Sequence, residues 1–217
     1  GMFDGGSYWL LLTWPLLVWM TNLFNFMDGS DGLAGGMTIF GFGTFAIGSA
    51  LSGDVPIAVA SLGVAAAGAG FLVFNFPPAR VFMGDAGSIP LGFLAGGLGL
   101  LGWLRGMWPF WFPVVVFSPF VVDATVTLLR RLLRGERIWE PHRTHYYQRL
   151  VQLGWGHRRT ALAEYALMVV CGLTALAARE ASPAVATGLI GALAAVYVVL
   201  AWQVDRAWRS RNPGRGS

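Results

Sequence analysis

Residues 55–74 read VPIAVASLGVAAAGAGFLVF, a run of apolar and small side chains that contains no charge. About 20 such residues form a helix that can cross the roughly 30 Å hydrocarbon core of a bilayer. The whole chain of 217 residues is similar, with 55% hydrophobic and 12% charged residues and a mean hydropathy of +0.59. Because soluble domains carry about 25% charged residues, this composition excludes a disordered chain and indicates an all-α, polytopic membrane protein.

Six further segments repeat this apolar pattern, so we expect a transmembrane helix bundle of about seven spans. We treat residues 1–217 as one integral-membrane domain, with a loop at residues 130–160 and a basic tail at residues 205–217. The seven expected spans are Tyr8–Phe26, Leu33–Leu51, Val55–Phe74, Ile89–Leu104, Trp108–Leu129, Ala161–Ala178 and Pro183–Val204.

The arginines predict which ends of these spans face the cytoplasm. All 15 basic residues are arginines, since the sequence contains no lysine. If the chain alternates sides of the membrane, 13 of them fall on one face, and only Arg105 and Arg179 fall on the other. The positive-inside rule assigns the arginine-rich face to the cytoplasm. The loops after the first, third and fifth spans are therefore expected to be cytoplasmic, as is the tail.

The first of these loops contains Asn25, Asp28 and Asp31 in the stretch NFMDGSDGLA. Two carboxylates three residues apart can project from one side of a turn, which suits Mg²⁺ binding or general-base catalysis. The alternative is that the aspartates cap the next helix while the glycines supply the turn. Asn25 favours a functional role, because an amide at membrane depth costs free energy unless it is used.

The second loop reads NFPPARVFMGDAGS and contains Asn75, Gly84, Asp85 and Ser88. Glycines on both sides of Asp85 allow the backbone to approach a ligand closely. The next helix begins after this run, and its N-terminus suits an anion. The alternative is a proline-glycine turn that Asp85 or Ser88 caps. We interpret so long a polar run between two apolar segments as functional.

The third loop contains the stretch PHRTHYYQ, with His142, Arg143 and His145. Imidazole and guanidinium groups suit contacts to phosphate oxygens. A zinc site is disfavoured, because no cysteine or third histidine lies nearby in the sequence.

Asp123 lies near the cytoplasmic end of the fifth span. An ionisable group at that depth indicates a functional site, and a pairing partner for a nearby arginine is the alternative.

The three stretches resemble successive cytoplasmic motifs of the polyprenyl-phosphate N-acetylhexosamine-1-phosphate transferases. This is the superfamily of glycosyltransferase family 4, which includes the muramoyl-pentapeptide translocase and the enzymes that initiate O-antigen synthesis. The resemblance covers nearly the whole chain, in order and with suitable spacing. The His-Arg-Thr-His arrangement is most similar to the branch that initiates O-antigen, lipopolysaccharide or other surface-polysaccharide repeats.

The resemblance implies transfer of a sugar 1-phosphate from a UDP-N-acetylhexosamine to undecaprenyl or another polyprenyl phosphate, with release of UMP. It implies a Mg²⁺ cofactor, with Mn²⁺ as an alternative, and a cytoplasmic active site at the bacterial inner membrane. Its expected partners are the UDP-sugar, the polyprenyl phosphate lipid, the membrane and a second copy in a homodimer, with no nucleic acid.

The resemblance also assigns roles to individual residues. Asp85 and Asp28 are the expected metal ligands. The expected catalytic residues are Asp28, Asp31, Asp85, His142 and His145. The expected substrate-binding residues are Asn25, Asn75, Arg143, Gly84 and Ser88.

The family carries one more motif, with adjacent acidic residues on an earlier loop, and this chain has no adjacent Asp-Asp or Asp-Glu pair. We therefore expect the chain to be the C-terminal part of a longer enzyme. A CDP-alcohol phosphotransferase is disfavoured, because no further acids follow Asp31 in its span. The remaining alternative is an inactive or truncated helix-bundle subunit or a transporter that binds anionic lipid. The polar residues of a transporter should lie at the bilayer midplane.

Overall fold

The computed structural model describes residues 8–137, 140 and 142–211, and all regular secondary structure within them is helical. This confirms the expected all-α membrane bundle. The segment Val151–Trp155, with a kink at Gly154 (φ 91°), joins α7 to α8. The α-helices are α1 (Tyr8–Met27), α2 (Leu33–Leu51), α3 (Val55–Asn75), α4 (Gly84–Leu104), α5 (Trp111–Val116), α6 (Ser118–Leu133), α7 (Tyr146–Leu150), α8 (Gly156–Glu180) and α9 (Pro183–Arg211).

Among the described residues, five helical stretches are long and apolar enough to cross a membrane. The expected count of about seven spans is therefore not confirmed. The first helix, α1, forms where a span was expected, but it is not among the five. The five stretches are Leu33–Leu51, Val55–Asn75, Gly84–Leu104, Tyr146–Glu180 and Pro183–Arg211.

The expected fifth span, Trp108–Leu129, is not one continuous helix. It is divided into α5 and α6, and Phe117 between them has the dihedral angles φ −93° and ψ 12°. Pro119 lies in the first turn of α6, where it has no amide hydrogen to donate and disfavours helical geometry in the residue before it. At about 1.5 Å per residue, the 16 residues of α6 extend only about 24 Å.

Helix boundaries around the expected loops also differ from the sequence prediction. Helix α4 begins at Gly84 instead of Ile89, so that Asp85 and Ser88 lie in its first turns. The expected loop at residues 130–160 contains the end of α6, all of α7 and the start of α8. Residues 205–211 of the expected tail continue α9, and residues 212–217 lie outside the described part.

A cluster of aromatic rings forms much of the core. Phe24 of α1 contacts Phe120 with 5.2 Å between ring centroids, and Phe117 with 5.8 Å. Phe42 and Phe45 of α2 contact the same Phe117 ring at 5.7 and 5.3 Å. All five rings are fully buried. The break between α5 and α6 is therefore held against α1 and α2, because Phe117 lies at the centre of the cluster.

The ends of the helices that carry the three polar motifs meet at one end of the bundle. The start of α2 contacts the end of α3, where the Gly32 amide donates to Oδ1 of Asn75 at 2.9 Å. The ends of α6 and α9 also meet there, where Arg130 pairs with Asp205 at 2.8 Å. We call this the polar end of the bundle.

The two arginines that the sequence assigned to the other face lie at the opposite end. Arg105 pairs with Asp54 at 2.8 Å, beside the turn between α2 and α3. Arg179, near the end of α8, donates to the carbonyl of Gly48 at 2.7 Å. For the arginines within residues 8–211 that the structure describes, the charge division inferred from the sequence therefore matches the two ends of the folded bundle.

Candidate active site

The first two motifs meet through an amide and a carboxylate. Nδ2 of Asn25, in the last turn of α1, donates to Oδ1 of Asp85 at 2.7 Å and to Oγ of Ser88 at 3.1 Å. Asp85 lies in the first turn of α4, where the unpaired amides of a helix N-terminus favour negative charge. Asn25 therefore forms one cluster with two predicted site residues that lie about 60 positions later in the chain.

Asp28 belongs to the same cluster. Its Oδ2 accepts a hydrogen bond of 3.1 Å from the amide of Gly84, the residue before Asp85. Burial, which is the largest cause, and the negative charge of Asp85 raise the pKa of the Asp28 carboxyl from 3.8 to about 6, and the hydrogen bond from Gly84 opposes this rise. The site thus holds two carboxylates that repel each other, an arrangement that a bound cation would stabilise.

Asp31 instead connects the first loop to its neighbours. Its Oδ2 accepts a hydrogen bond of 3.0 Å from the amide of Ala79 in the second loop. Its Oδ1 lies 3.9 Å from Nδ1 of His157, which also contacts the hydroxyl of Ser30 at 2.9 Å. These contacts fix the positions of the two loops relative to the start of α8. A direct catalytic role for Asp31 stays a prediction.

Asn75 likewise contacts backbone groups of both the first and the second loop. Its Oδ1 accepts from the Gly32 amide, and its Nδ2 donates to the carbonyl of Val81 at 2.8 Å. The side chain is buried, so each half of its amide has the partner that burial requires. The structure therefore gives Asn75 a positioning contact between the first and second loops. Substrate binding by Asn75 stays a prediction.

The third motif is organised around Asp123, a buried carboxylate on α6. Its two oxygens accept hydrogen bonds of 2.9 and 3.0 Å from the amides of Tyr146 and Tyr147. Oδ1 also contacts Nδ1 of His145 at 3.2 Å and the hydroxyl of Thr127 at 3.1 Å. One carboxylate thus caps the start of α7 and orients the imidazole of His145.

Two rings bring this third motif against the first. The hydroxyl of Tyr147 donates to the carbonyl of Phe26 at 3.1 Å. The ring of His145 stacks between Phe26 and Tyr147, with centroids 6.3 and 5.8 Å away. Gly29 is required at this junction, because a Cβ there would overlap the hydroxyl of Tyr147. His145 is consequently a buried ring in a packed junction.

A cavity of about 590 Å³ opens beside this junction, and we call it the site cavity. His142 and Arg143 of the third motif line it, whereas Asp28, Asp31, Asp85 and His145 do not. His142 contacts the hydroxyl of Thr144 through Nδ1 at 3.0 Å. The residues that line the site cavity are Gly29, His142, Arg143, Tyr147, Gln148, Val151, Gln152 and His157.

The residues present fit a magnesium ion that a substrate helps to bind. Among the described residues, no three His, Cys, Asp or Glu side chains are grouped closely enough to hold a metal by themselves. Mg²⁺ in phosphoryl-transfer sites usually has one or two carboxylate ligands, with water and substrate phosphates completing the set. Asp28 and Asp85 supply two carboxylates of this kind.

The sequence singled out Asp123 as a functional-site candidate, since it is an ionisable group near the end of an apolar segment, but it did not single out Tyr147 or His157. The sequence carried no signal for these two residues, because a tyrosine and a lone histidine in a loop are common in any protein. Both were found only through their contacts with the first motif.

The fold and the site together define a class of protein. Apolar helices long enough to cross a membrane carry a polar site, with carboxylate, amide, imidazole and guanidinium groups, at one end of the bundle. The chain is therefore a multi-pass membrane protein whose candidate site is built from the loops that connect its helices.

Comparison with known proteins identifies the family. Residues 2–102 match the family described as glycosyl transferase family 4. These residues include the first two motifs and the cluster of Asn25, Asp28, Asp85 and Ser88. This match over residues 2–102 confirms the resemblance seen in the sequence.

Similar proteins include three bacterial enzymes, each 35% identical to this chain. One is a probable undecaprenyl-phosphate N-acetylglucosaminyl 1-phosphate transferase of Bacillus subtilis, aligned over 81% of this chain and 49% of its own length. Another is a phospho-N-acetylmuramoyl-pentapeptide-transferase of Moorella thermoacetica, over 80% and 54%. The third is a decaprenyl-phosphate N-acetylglucosaminephosphotransferase of Mycobacterium tuberculosis, over 72% and 44%. The chain thus spans about half the length of the curated relatives that it matches.

Proposed function

We propose that the protein containing this chain transfers an N-acetylhexosamine 1-phosphate from a UDP-sugar to a polyprenyl phosphate. The names of the three relatives support a polyprenyl-phosphate or sugar-phosphate substrate. The observation that carries the proposal is the cluster of Asn25, Asp28 and Asp85, which two distant loops form at the polar end. This position at helix ends, away from the middle of the bundle, favours an enzyme over a transporter.

The proposed reaction exchanges one phosphate bond for another. An oxygen of the lipid phosphate forms a bond to the sugar-bearing phosphorus of the UDP-sugar, and the bond from that phosphorus to the oxygen of UMP breaks. UMP leaves, and the sugar remains on a polyprenyl diphosphate. Because the second pKa of a phosphate monoester is about 6, the attacking lipid phosphate is already largely ionised near neutral pH. A strong general base is therefore unnecessary.

Asp28 and Asp85 would hold Mg²⁺, or Mn²⁺ with the same oxygen donors, and the amide of Asn25 keeps the Asp85 carboxylate in place. The cation would offset negative charge on the diphosphate. This assignment uses the two carboxylates whose mutual repulsion contributes to the raised pKa of Asp28.

His142 and Arg143 would contact phosphate oxygens from the wall of the site cavity. Burial, the neighbouring His145 ring and the positive charge of Arg131 lower the pKa of His142 to about 4. At neutral pH its imidazole is therefore uncharged and acts as a hydrogen-bond donor, while Arg143 supplies the positive charge. His145, held by Asp123, supports this wall from behind.

The full-length protein, purified in detergent, tests the proposal through UMP release from UDP-N-acetylglucosamine and polyprenyl phosphate. We expect release that requires Mg²⁺ and that Asp85→Asn abolishes. The matched control is Glu180→Gln, which removes a carboxylate at the opposite end of the bundle and should leave the rate unchanged. Near-normal turnover by Asp85→Asn would remove that residue from the metal site. A lack of UMP release from any UDP-N-acetylhexosamine would refute the transferase assignment.

We further propose that the polar end faces the cytoplasm at the bacterial inner membrane, and that the product initiates a surface polysaccharide. The excess of arginines at this end supports that orientation. Ala86 is exposed beside Asp85, so that Ala86→Cys should react with an impermeant maleimide only in inside-out vesicles. The native Cys171 is buried and gives little background. Labelling of Ala86→Cys from outside intact cells would reverse the orientation.

A further inference from the structure

A second cavity, of about 680 Å³, lies at the polar end between the ends of α6 and α9 and the segment before α7. Five arginines and two carboxylates line it, so its formal charge is +3. We call it the arginine pocket. Its arginines are Arg130, Arg134, Arg143, Arg149 and Arg209.

The two carboxylates neutralise only part of this charge. Asp205 accepts from Arg130 at 2.8 Å and from Arg149 at 2.9 Å, so one carboxylate is shared by two arginines. Arg134 lies 3.8 Å from Glu136, which a second arginine outside the pocket also contacts. Within the described part of the chain, the guanidinium groups of the remaining two arginines form no ion pair. The pocket thus has unused positive charge and free N–H donors.

The wall of the pocket is rigid at its centre. Arg149 is buried, and its guanidinium lies 5.3 Å from the ring centroid of Tyr146 and 5.6 Å from that of Trp208. Its Nε also donates to the carbonyl of Thr144 at 2.9 Å. Because these contacts hold the guanidinium in place before any ligand arrives, an anion meets a preformed positive surface.

The pocket continues into the apolar surface of the bundle. Leu133, at the end of α6, lines the pocket and is 79% exposed. Leu129 and Leu132 on the same helix are also exposed, as is Trp202 on α9. An anion in the pocket would therefore lie directly above helix surfaces that suit acyl chains. A phosphate carried by a lipid fits both features, and a free phosphate fits only one.

We propose that the arginine pocket binds the phosphate headgroup of an anionic glycerophospholipid, with its acyl chains against α6 and α9. Basic pockets between transmembrane helices on the cytoplasmic side commonly bind such headgroups. The proposal does not depend on the transferase assignment, because it uses a different cavity and a different ligand. Its only residue in common with the proposed substrate contacts is Arg143.

Native mass spectrometry of the purified full-length protein tests the pocket. The protein is exchanged from nanodiscs of phosphatidylcholine with or without phosphatidylglycerol, and the retained lipids are counted. We expect selective retention of phosphatidylglycerol. The double variant Arg134→Gln with Arg209→Gln should weaken it about thirtyfold, since each arginine at an anionic surface contributes roughly fivefold. Arg209→Gln alone should weaken retention of phosphatidylglycerol about fivefold. Because Arg209 is exposed, this single variant should fold normally and keeps the test valid if the double variant misfolds.

The control is Arg158→Gln with Arg159→Gln, which removes the same charge from the polar end but from exposed residues that do not line the pocket. We expect its lipid retention to match the parent protein. Equal loss in this control, or equal retention of phosphatidylcholine, would overturn the proposal. Displacement of phosphatidylglycerol by inorganic phosphate at similar concentration would also overturn it, because the site would then recognise a free anion.

Discussion

Replacing Asp123 by asparagine tests how the third motif is held against the first. The parent carboxylate accepts four hydrogen bonds, from the amides of Tyr146 and Tyr147, the hydroxyl of Thr127 and the imidazole of His145. Asparagine has the same shape but only one acceptor oxygen, and its amide nitrogen would face a backbone N–H. At least one of the four donors therefore loses its acceptor in a buried site.

The size of the effect follows from these contacts. A buried amide left without an acceptor costs about 1–3 kcal/mol, and a bond to a neutral oxygen is weaker than one to a carboxylate. We therefore expect Asp123→Asn to weaken the docking of α7 by about 2–4 kcal/mol. This corresponds to between about thirtyfold and about a thousandfold faster hydrogen exchange at the amides of Tyr146 and Tyr147.

Hydrogen exchange of the purified full-length protein, with UMP release measured in parallel, checks this prediction. Thr127→Val is the matched control, because it removes one donor to Asp123 and keeps the carboxylate. It should cost only about 1 kcal/mol and change exchange about fivefold. If Asp123→Asn leaves exchange at both tyrosine amides and UMP release as in the parent, then Asp123 does not hold the third motif in place.

Three further predictions concern the first loop. The pKa of Asp28 is raised to about 6, and a carboxylate must lose its proton to bind a metal. Mg²⁺ affinity measured by calorimetry should therefore fall about tenfold for each pH unit below 6 and level off above pH 6. Asp28→Asn should remove this pH dependence. Between pH 3.8 and about 6 the folded state retains the Asp28 proton that the unfolded state has lost. The Asp28 contribution to the stability of the metal-free protein should therefore decrease as pH rises through that range. A melting temperature that increases over the same range, by more than in Asp28→Asn, would contradict the assignment. Gly29→Ala should lower the unfolding free energy by about 1–3 kcal/mol, because the new Cβ overlaps the buried Tyr147, whereas Gly63→Ala, where a Cβ meets nothing within 4 Å, should not. Equal melting temperatures for these two glycine variants would refute the close contact.

Span prediction succeeded where apolar character and length were decisive. Val55–Asn75 and Leu33–Leu51 form helices within one residue of the expected boundaries. The expected span Trp108–Leu129 is instead divided at Phe117, which composition cannot show, because an apolar run has the same composition whether or not a helix is interrupted within it. Pro113 and Pro119 in this segment mark positions where an interruption of the helix is tolerated. The packing of Phe117 among rings from α1 and α2 accompanies the break that occurs there.

The predicted site residues were found together at one end of the bundle, but their contacts divide them. Asp28 and Asp85 share a cluster with Asn25, and His142 and Arg143 line the site cavity. A motif in a sequence shows which polar groups are close along the chain. It does not distinguish a side chain that faces a cavity from one that holds two loops together, because both are polar and both lie in loops.

The amino-acid sequence alone determined the class of this protein: an all-α membrane bundle with most of its arginines and its acidic motifs at one end, and with motifs that resemble those of glycosyl transferase family 4. These properties depend on composition, on the length of apolar runs and on short motifs, all of which are local in the chain. Only the tertiary structure decided that Asp123 supports His145, that Tyr147 connects two motifs, and that five arginines form one pocket. Those contacts join helices far apart in sequence, so they depend on how the helices pack, which no local pattern contains.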